Sequence, residues 1–209
     1  MTMTQDPDKY RDGDYLHLAE TTLSSETIVQ GHFLHARRDT VRLPDGRQAT
    51  REYIVHPGAV MVIAQLDDGQ LVMERQYRYP MRAAMVEFPA GKLDADETSL
   101  DCAQRELREE TGYTARHWAR AGVLHPVISY STEFIDIWFA RGLTPGERQL
   151  DAGEFLDVFI ATPAELSAWC RDGRITDAKT LTGMLWLQNV SSGSWQLNWH
   201  GPEPEGVVR

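Results

Sequence analysis

The chain is short of cysteine, of positive charge and of long apolar runs, and each shortage excludes something. Its two cysteines, Cys102 and Cys170, are too few for a disulfide framework. Both lie in segments that read as helical, which fits reduced thiols with no chemical role. Positive charge is scarce: 21 Lys and Arg stand against 31 Asp and Glu, a formal net charge of −10. Such a balance offers no broad basic surface to grip a nucleic-acid backbone. No apolar run reaches membrane-spanning length. The opening MTMTQDPDKYRDGDYLHLAE has neither the basic leader nor the apolar core of a secretion signal. The expectation is a cytoplasmic protein without a membrane or nucleic-acid partner. The seven histidines show no HExxH or zinc-ligand spacing, and no repeat of solenoid period is visible. If the ligand is an anion, its charge must be met locally, by a metal ion or a few placed arginines.

Across the 209 residues, 42% hydrophobic content is enough for a real core in one generous domain or two small ones. The first twenty or so residues are polar and are expected to fray. ETIVQGHFLHARRDTVRLPDGRQATREYIVHPG reads as three strands of an antiparallel meander, with turns at Gly31 and at Pro44-Asp45-Gly46. GAVMVIAQLDDGQLVMERQYR places two apolar runs around Asp67-Asp68-Gly69-Gln70 and predicts a central hairpin. A loop broken by Pro80, Pro89 and Gly91 follows, with a short strand over Met85 to Phe88. Helical spacing then runs from about Glu97 to Thr111, with Asp96 or Thr98 as cap and Gly112 as stop. Strands return in YTARHWARAGVLHPV, EFIDIWFARGL and EFLDVFIAT. Two helices, TPAELSAWCRDG and DAKTLTGMLWLQNV, precede a Gly-, Ser- and Pro-rich tail. The order predicts an α/β chain, a mixed sheet with helices packed on it.

The stretch RELREETGY, Arg105 to Tyr113, crowds Glu106, Glu109 and Glu110 together. On a helix these three share one arc, beside an apolar stripe of Leu100, Ala103 and Leu107 and away from Asp101, Gln104 and Arg108. Like charges at this spacing repel. Either water screens them as an ordinary solvated face, or a hard divalent cation such as Mg²⁺ or Mn²⁺ sits among them and keeps positions open for a substrate phosphate. A calcium loop is excluded: in DADETSLDCAQR the sixth position is Ser99 where Gly is required, and the twelfth is Arg105 where Glu is required.

Gly91, five residues, Glu97, seven residues and then RELREETGY resemble the Nudix box, Gly-x5-Glu-x7-Arg-Glu-U-x-Glu-Glu-x-Gly-U, with U bulky and apolar. All the fixed letters match, while Tyr113 fills a slot that is usually aliphatic. ERQYRYP and EFPAGKLD upstream, with GEFLDV and DAKT downstream, are similar to the ADP-ribose pyrophosphatase branch. The resemblance implies the Nudix fold, an α/β/α sandwich around a mixed sheet. It divides the chain into N-terminal strands (1–57) for dimerisation and adenine binding, a catalytic domain (58–190) and a C-terminal tail (191–209).

By the same resemblance, Glu106 and Glu110 are the main ligands of Mg²⁺ or Mn²⁺. Glu109 is a further ligand or a neighbour that orients them, and the Ala90 carbonyl completes the set. Arg105, paired with Glu109, and Glu97 orient these ligands. Glu154 in DAGEFLDV is the base that activates water, with Asp151, Glu147 and Glu133 as alternatives and an ordinary loop acid as the plain reading. Arg78 holds phosphate; Arg75 and Arg82 compete with surface solvation for that role. Glu87 contacts the terminal ribose or braces the loop. Phe33 and Glu52 take the adenine in a homodimer, unless Phe33 is strand core. Gly91 and Gly112 serve backbone conformation. The implied reaction is hydrolysis of ADP-ribose to AMP and ribose 5-phosphate. GDP-mannose or another nucleoside diphosphate sugar is the alternative substrate, and a non-catalytic ADP-ribose binding module the alternative class.

Overall fold

The structure is a computed structural model that describes residues 13–201. Most of the polar opening, and the tail beyond 201, lie outside the described residues. Gly13–Leu18 form a 3₁₀ turn. Three strands follow, β1 (Thr21–Gln30), β2 (His35–Arg42) and β3 (Gln48–Ile54), paired antiparallel in the order β1-β2-β3. The β2–β3 turn closes through Gly46 N to Leu43 O at 2.9 Å, and the Asp45 carboxylate accepts from Arg47 N at 3.0 Å. This is the expected meander, although β1 begins at Thr21 rather than near Glu26. Every residue of β1 is exposed.

β4 (Ala59–Ala64) is buried along its whole length. Its alternate residues feed two separate cores: Ala59, Met61 and Ile63 point into one, Val60, Val62 and Ala64 into the other. A strand apolar on both faces belongs in the middle of a covered sheet. It pairs in parallel with β9 (Ile135–Thr144) on one side and antiparallel with β7 (Ala90–Lys92) on the other. With β8 (Thr114–Leu124) the sheet order is β7-β4-β9-β8. Both edges of β4 being taken, β5 (Leu71–Arg78) enters a second sheet, β10-β5-β6, with β6 (Ala83–Glu87) and β10 (Leu156–Ala161). This corrects the predicted central hairpin. The tight turn is present, with Leu66 N donating to Gln70 O at 2.9 Å, but the strands diverge after the single bridge Gln65–Leu71.

α1 (Ser99–Thr111) covers one face, burying Cys102, Ala103 and Leu107 in the same core as Val60 and Val62. α2 (Pro163–Arg171) and α3 (Ala178–Ser191) cover the other, through Leu166 and Leu187. The result is the helix–sheet–helix sandwich. Of the two caps considered for α1, Thr98 serves: its hydroxyl accepts from Asp101 N at 3.2 Å. Gly112 ends the helix at φ +79°.

Up to residue 201 the segment after α3 packs on its own chain. Trp195 meets Trp186 edge-on at 4.5 Å, and Trp199 lies against Phe139 and beneath the Arg141 guanidinium. His200 pairs with Trp118 through two backbone hydrogen bonds of 2.8 and 2.9 Å. Among the described residues no helix is long and apolar enough to cross a membrane.

Candidate active site

The last turns of α1, the β6–β7 loop and one face of β5 converge on a cleft of about 790 Å³, a size that suits a ligand larger than a monosaccharide. Its walls include Glu106, Glu110, Ala90, Gly91, Arg78, Glu87, Glu154, Lys179, Phe33 and His56.

On α1 the predicted arcs hold: Leu107 is fully buried, Asp101, Gln104 and Arg108 face solvent, and Glu110 is only 4% exposed. Glu110 Oε2 accepts from Ala90 N at 3.0 Å, which ties the helix to β7. Arg105 organises the neighbouring acids. It grips Glu97 with Nε and Nη2 at 2.8 and 2.9 Å and donates to Lys92 O at 3.1 Å. Its Nη1 reaches Glu106 at 2.8 Å and Glu109 at 3.2 Å. Its contact with Glu109 was expected, whereas the direct bond to Glu106 was not. Gly91 serves space rather than an unusual backbone angle: a Cβ there would lie 1.9 Å from the Glu106 carboxyl and push it from the place where Arg105 holds it.

Strand alternation puts Glu74, Gln76 and Arg78 on one face of β5. Arg78 Nε and Nη2 each meet a Glu87 oxygen at 2.7 Å, a bidentate pair. Lys179, at the start of α3, donates to the same Glu87 and to Asp177, the latter at 3.1 Å. Glu87 therefore braces the cation beside the cleft. Gln76 Nε2 donates to Glu154 Oε1 at 3.2 Å, pinning the loop before β10 over the acids. Asp151 lines the same cleft, as does Glu133, which faces His56 at 3.8 Å; Glu147 does not.

Phe33 is not strand core. It is 61% exposed in the β1–β2 turn, edge-on to His56 and capped by Lys92 Nζ at 4.5 Å from its ring. Glu52 is not brought to this cleft: it lies on exposed β3, bonded to Arg38 at 2.7 Å. Gln76 and Lys179 line the cleft and Glu74 stands on the same face of β5, although ERQYRYP and DAKT gave these three no role. The available signal was the polar continuation of an otherwise apolar row, Val72, Glu74, Gln76, Arg78.

The acids carry the strain expected of like charges out of water. Burial pushes Glu106 up to about 7, with Glu109 and Glu154 adding to the rise and Arg105 opposing it. Burial also raises Glu110 and Glu74, and the charge of Glu74 raises Glu110 further. Burial alone would raise Glu87, but Arg78 and Lys179 outweigh it and hold it below its usual range. Arg105 holds Glu97 down at about 2.

For Glu106 the folded value near 7 exceeds the reference 4.5. Below pH 4.5 both folded and unfolded chains keep the proton; between 4.5 and 7 only the unfolded chain loses it readily, so the Glu106 contribution falls as pH rises through that window, outweighing His56, whose imidazole burial holds low and acts the other way. Glu97 acts below this window. Metal-free protein is expected to melt at a higher temperature at pH 5 than at pH 7.5, and added Mn²⁺ to raise the melting point more at pH 7.5. Scanning fluorimetry reads both trends, and a metal-free melting point rising with pH would contradict them.

Among the described residues, no three His, Cys, Asp or Glu side chains ring one point as a ready-made metal centre; Glu106 and Glu109 are held by Arg105. The residues nonetheless fit a hard divalent cation. The donors are oxygens, the Gly91 cradle admits the Glu106 carboxyl, and Glu74 Oε1 is buried without any hydrogen-bond partner.

The NUDIX domain family matches residues 55–182, well over half of the chain. The chain belongs to the Nudix family. A nucleoside diphosphate sugar hydrolase N-terminal domain matches residues 20–54. Nudix hydrolases generally need divalent metal ions. Over 173 residues the chain is 35% identical to the ADP-ribose pyrophosphatase of Bacillus subtilis, covering 82% of this chain and 94% of the relative. It is 38% identical, again over 173 residues, to the methanol dehydrogenase activator of Bacillus methanolicus, covering 81% and 92%. A Mycobacterium tuberculosis ADP-ribose pyrophosphatase is 35% identical over 82% of this chain and 84% of its own. In fold, the crystal structure of an ADP compounds hydrolase superposes with a TM-score of 0.76 at 23% identity, covering 84% of this chain and 95% of the other.

Proposed function

We propose that this Nudix protein hydrolyses the diphosphate bond of ADP-ribose to AMP and ribose 5-phosphate, using Mg²⁺ or Mn²⁺. The observation that carries the reading is the opening of the box acids Glu106 and Glu110 onto the same cleft as Arg78, Glu154 and Phe33. Glu106, Glu110 and the Ala90 carbonyl would hold the cation, with Glu109 as a further ligand or orienting neighbour. When bound, such an ion neutralises the diphosphate and makes a nearby water more acidic. Arg105, anchored on Glu97 and Lys92 O, orients Glu106 and Glu109. Arg78, kept in place by Glu87, neutralises diphosphate oxygens. Glu154 accepts the proton of the attacking water at its carboxylate, oriented by Gln76. Phe33 offers a face to the base.

Glu52 joins the site only through a second copy. A homodimer is supported by the exposed β1–β3 sheet, where Leu23, Ile28 and Val29 face outward. Light scattering on the eluting protein is expected to give twice the chain mass; a monomer would remove Glu52 from the site. The N-terminal strands (1–57), catalytic domain (58–190) and tail (191–209) are the division we propose, in a cytoplasmic enzyme.

A panel of ADP-ribose, GDP-mannose and other nucleoside diphosphate sugars with Mg²⁺ or Mn²⁺, read by phosphate released after phosphatase treatment, tests the substrate. ADP-ribose is expected to turn over fastest. Equal or faster turnover of GDP-mannose overturns that choice, and tight ADP-ribose binding without AMP would mark a binding module instead.

A further inference from the structure

Glu74 has no role in the account so far. The residue is 3% exposed, in the middle of β5, and its Oε1 has no partner among the described residues. Directly across the sheet stands Glu87, another buried carboxylate, and like charges at directly opposed positions repel. Glu110, on α1, touches Glu74 from the cleft side.

The other two acids are answered. Glu87 accepts from Arg78 and Lys179, and Glu110 from Ala90 N. A carboxylate kept for the fold would be hydrogen-bonded at both oxygens, since burying an unanswered one destabilises the folded chain. Glutamine of the same shape, or methionine of similar length, would be a better fold residue here. What a glutamate adds is a second carboxyl group in contact with Glu110, outside the residues that line the cleft.

We propose that Glu74 is a positioning residue of the cation centre, holding Glu110 and strengthening its grip on a divalent ion. This rests on the cation site proposed at Glu106 and Glu110. Glu74 acts through Glu110 and does not touch substrate. In metal sites, partners that hold the ligands typically change affinity by about ten- to a hundredfold when removed.

The variants Glu74→Gln and Glu74→Met, compared with the unchanged full chain, test it. Mn²⁺ affinity is read from the electron paramagnetic resonance signal of the free ion. Melting temperature is read in chelator and in excess Mn²⁺. The expected result is at least tenfold weaker Mn²⁺ binding, a metal-free melting point equal to or above that of the unchanged chain, and a smaller Mn²⁺-induced rise. A residue that merely supports the fold would instead lower the metal-free melting point and leave affinity alone. Mn²⁺ affinity within twofold of the unchanged chain, a lower metal-free melting point in both variants, or failure of both to fold overturns the assignment. An unchanged chain that binds no Mn²⁺ overturns the cation site itself. A chain that binds and hydrolyses normally, alongside variants that bind equally well, overturns only the role of Glu74.

Discussion

Glu110→Gln is expected to lower kcat/KM for ADP-ribose by about a thousandfold, roughly 4 kcal/mol of lost transition-state stabilisation. Glu110 is the most buried of the three box acids, and its Oε2 already accepts from Ala90 N. Glutamine keeps the shape and can keep that hydrogen bond, yet it removes the negative charge that a divalent ion needs. The fold should not suffer. Glu110 is pressed by Glu74 and Glu106, so neutralising it relieves repulsion, and the metal-free melting point should stay level or rise. Activity within tenfold of the unchanged chain would remove Glu110 from the centre. A collapse of the melting point would instead mean that its role is structural.

Glu154→Gln is expected to cut kcat by about 10² to 10⁴ while leaving Mn²⁺ affinity and KM near their starting values. The carboxylate lies in the loop between β9 and β10 and reaches the cleft, where Gln76 orients Oε1. Glutamine there keeps most of the contact surface but cannot take a proton from water. Steady-state kinetics with parallel Mn²⁺ titration separate the two effects. Unchanged turnover would exclude Glu154 and turn attention to Asp151, which shares the cleft wall. Glu147 is less suited, since it does not line that cleft.

Local signals carried far in this chain. The meander turn at Pro44-Asp45-Gly46, the Thr98 cap, the Gly112 stop and the two-sided wheel of α1 are each set within a few residues, and each is found where expected. The predicted hairpin of β4 and β5 shows where local reading stops. Its turn forms, but β4 prefers β9, a partner some seventy residues further along, because a strand apolar on both faces gains more from a central place between two helix layers. No turn motif encodes that choice.

The site divides in the same way. Glu106, Glu109, Glu110 and Arg105 were legible because they sit on one helix at fixed spacing. Glu74 and Lys179 were not, because neither acquires meaning until β5, β6 and α3 meet around Glu87. Glu52 shows the reverse: a residue placed at the site by resemblance lies on an exposed strand of the single chain, bonded to Arg38.

The most direct test of the central claim is chromatographic analysis of ADP-ribose incubated with the purified chain, first in Mg²⁺, then after chelation, then after Mg²⁺ is restored. AMP and ribose 5-phosphate are predicted to form in equal amounts, to stop forming on chelation, and to resume when the ion returns. No AMP in the presence of Mg²⁺ or Mn²⁺, or AMP formation that continues undiminished in chelator, would contradict the account.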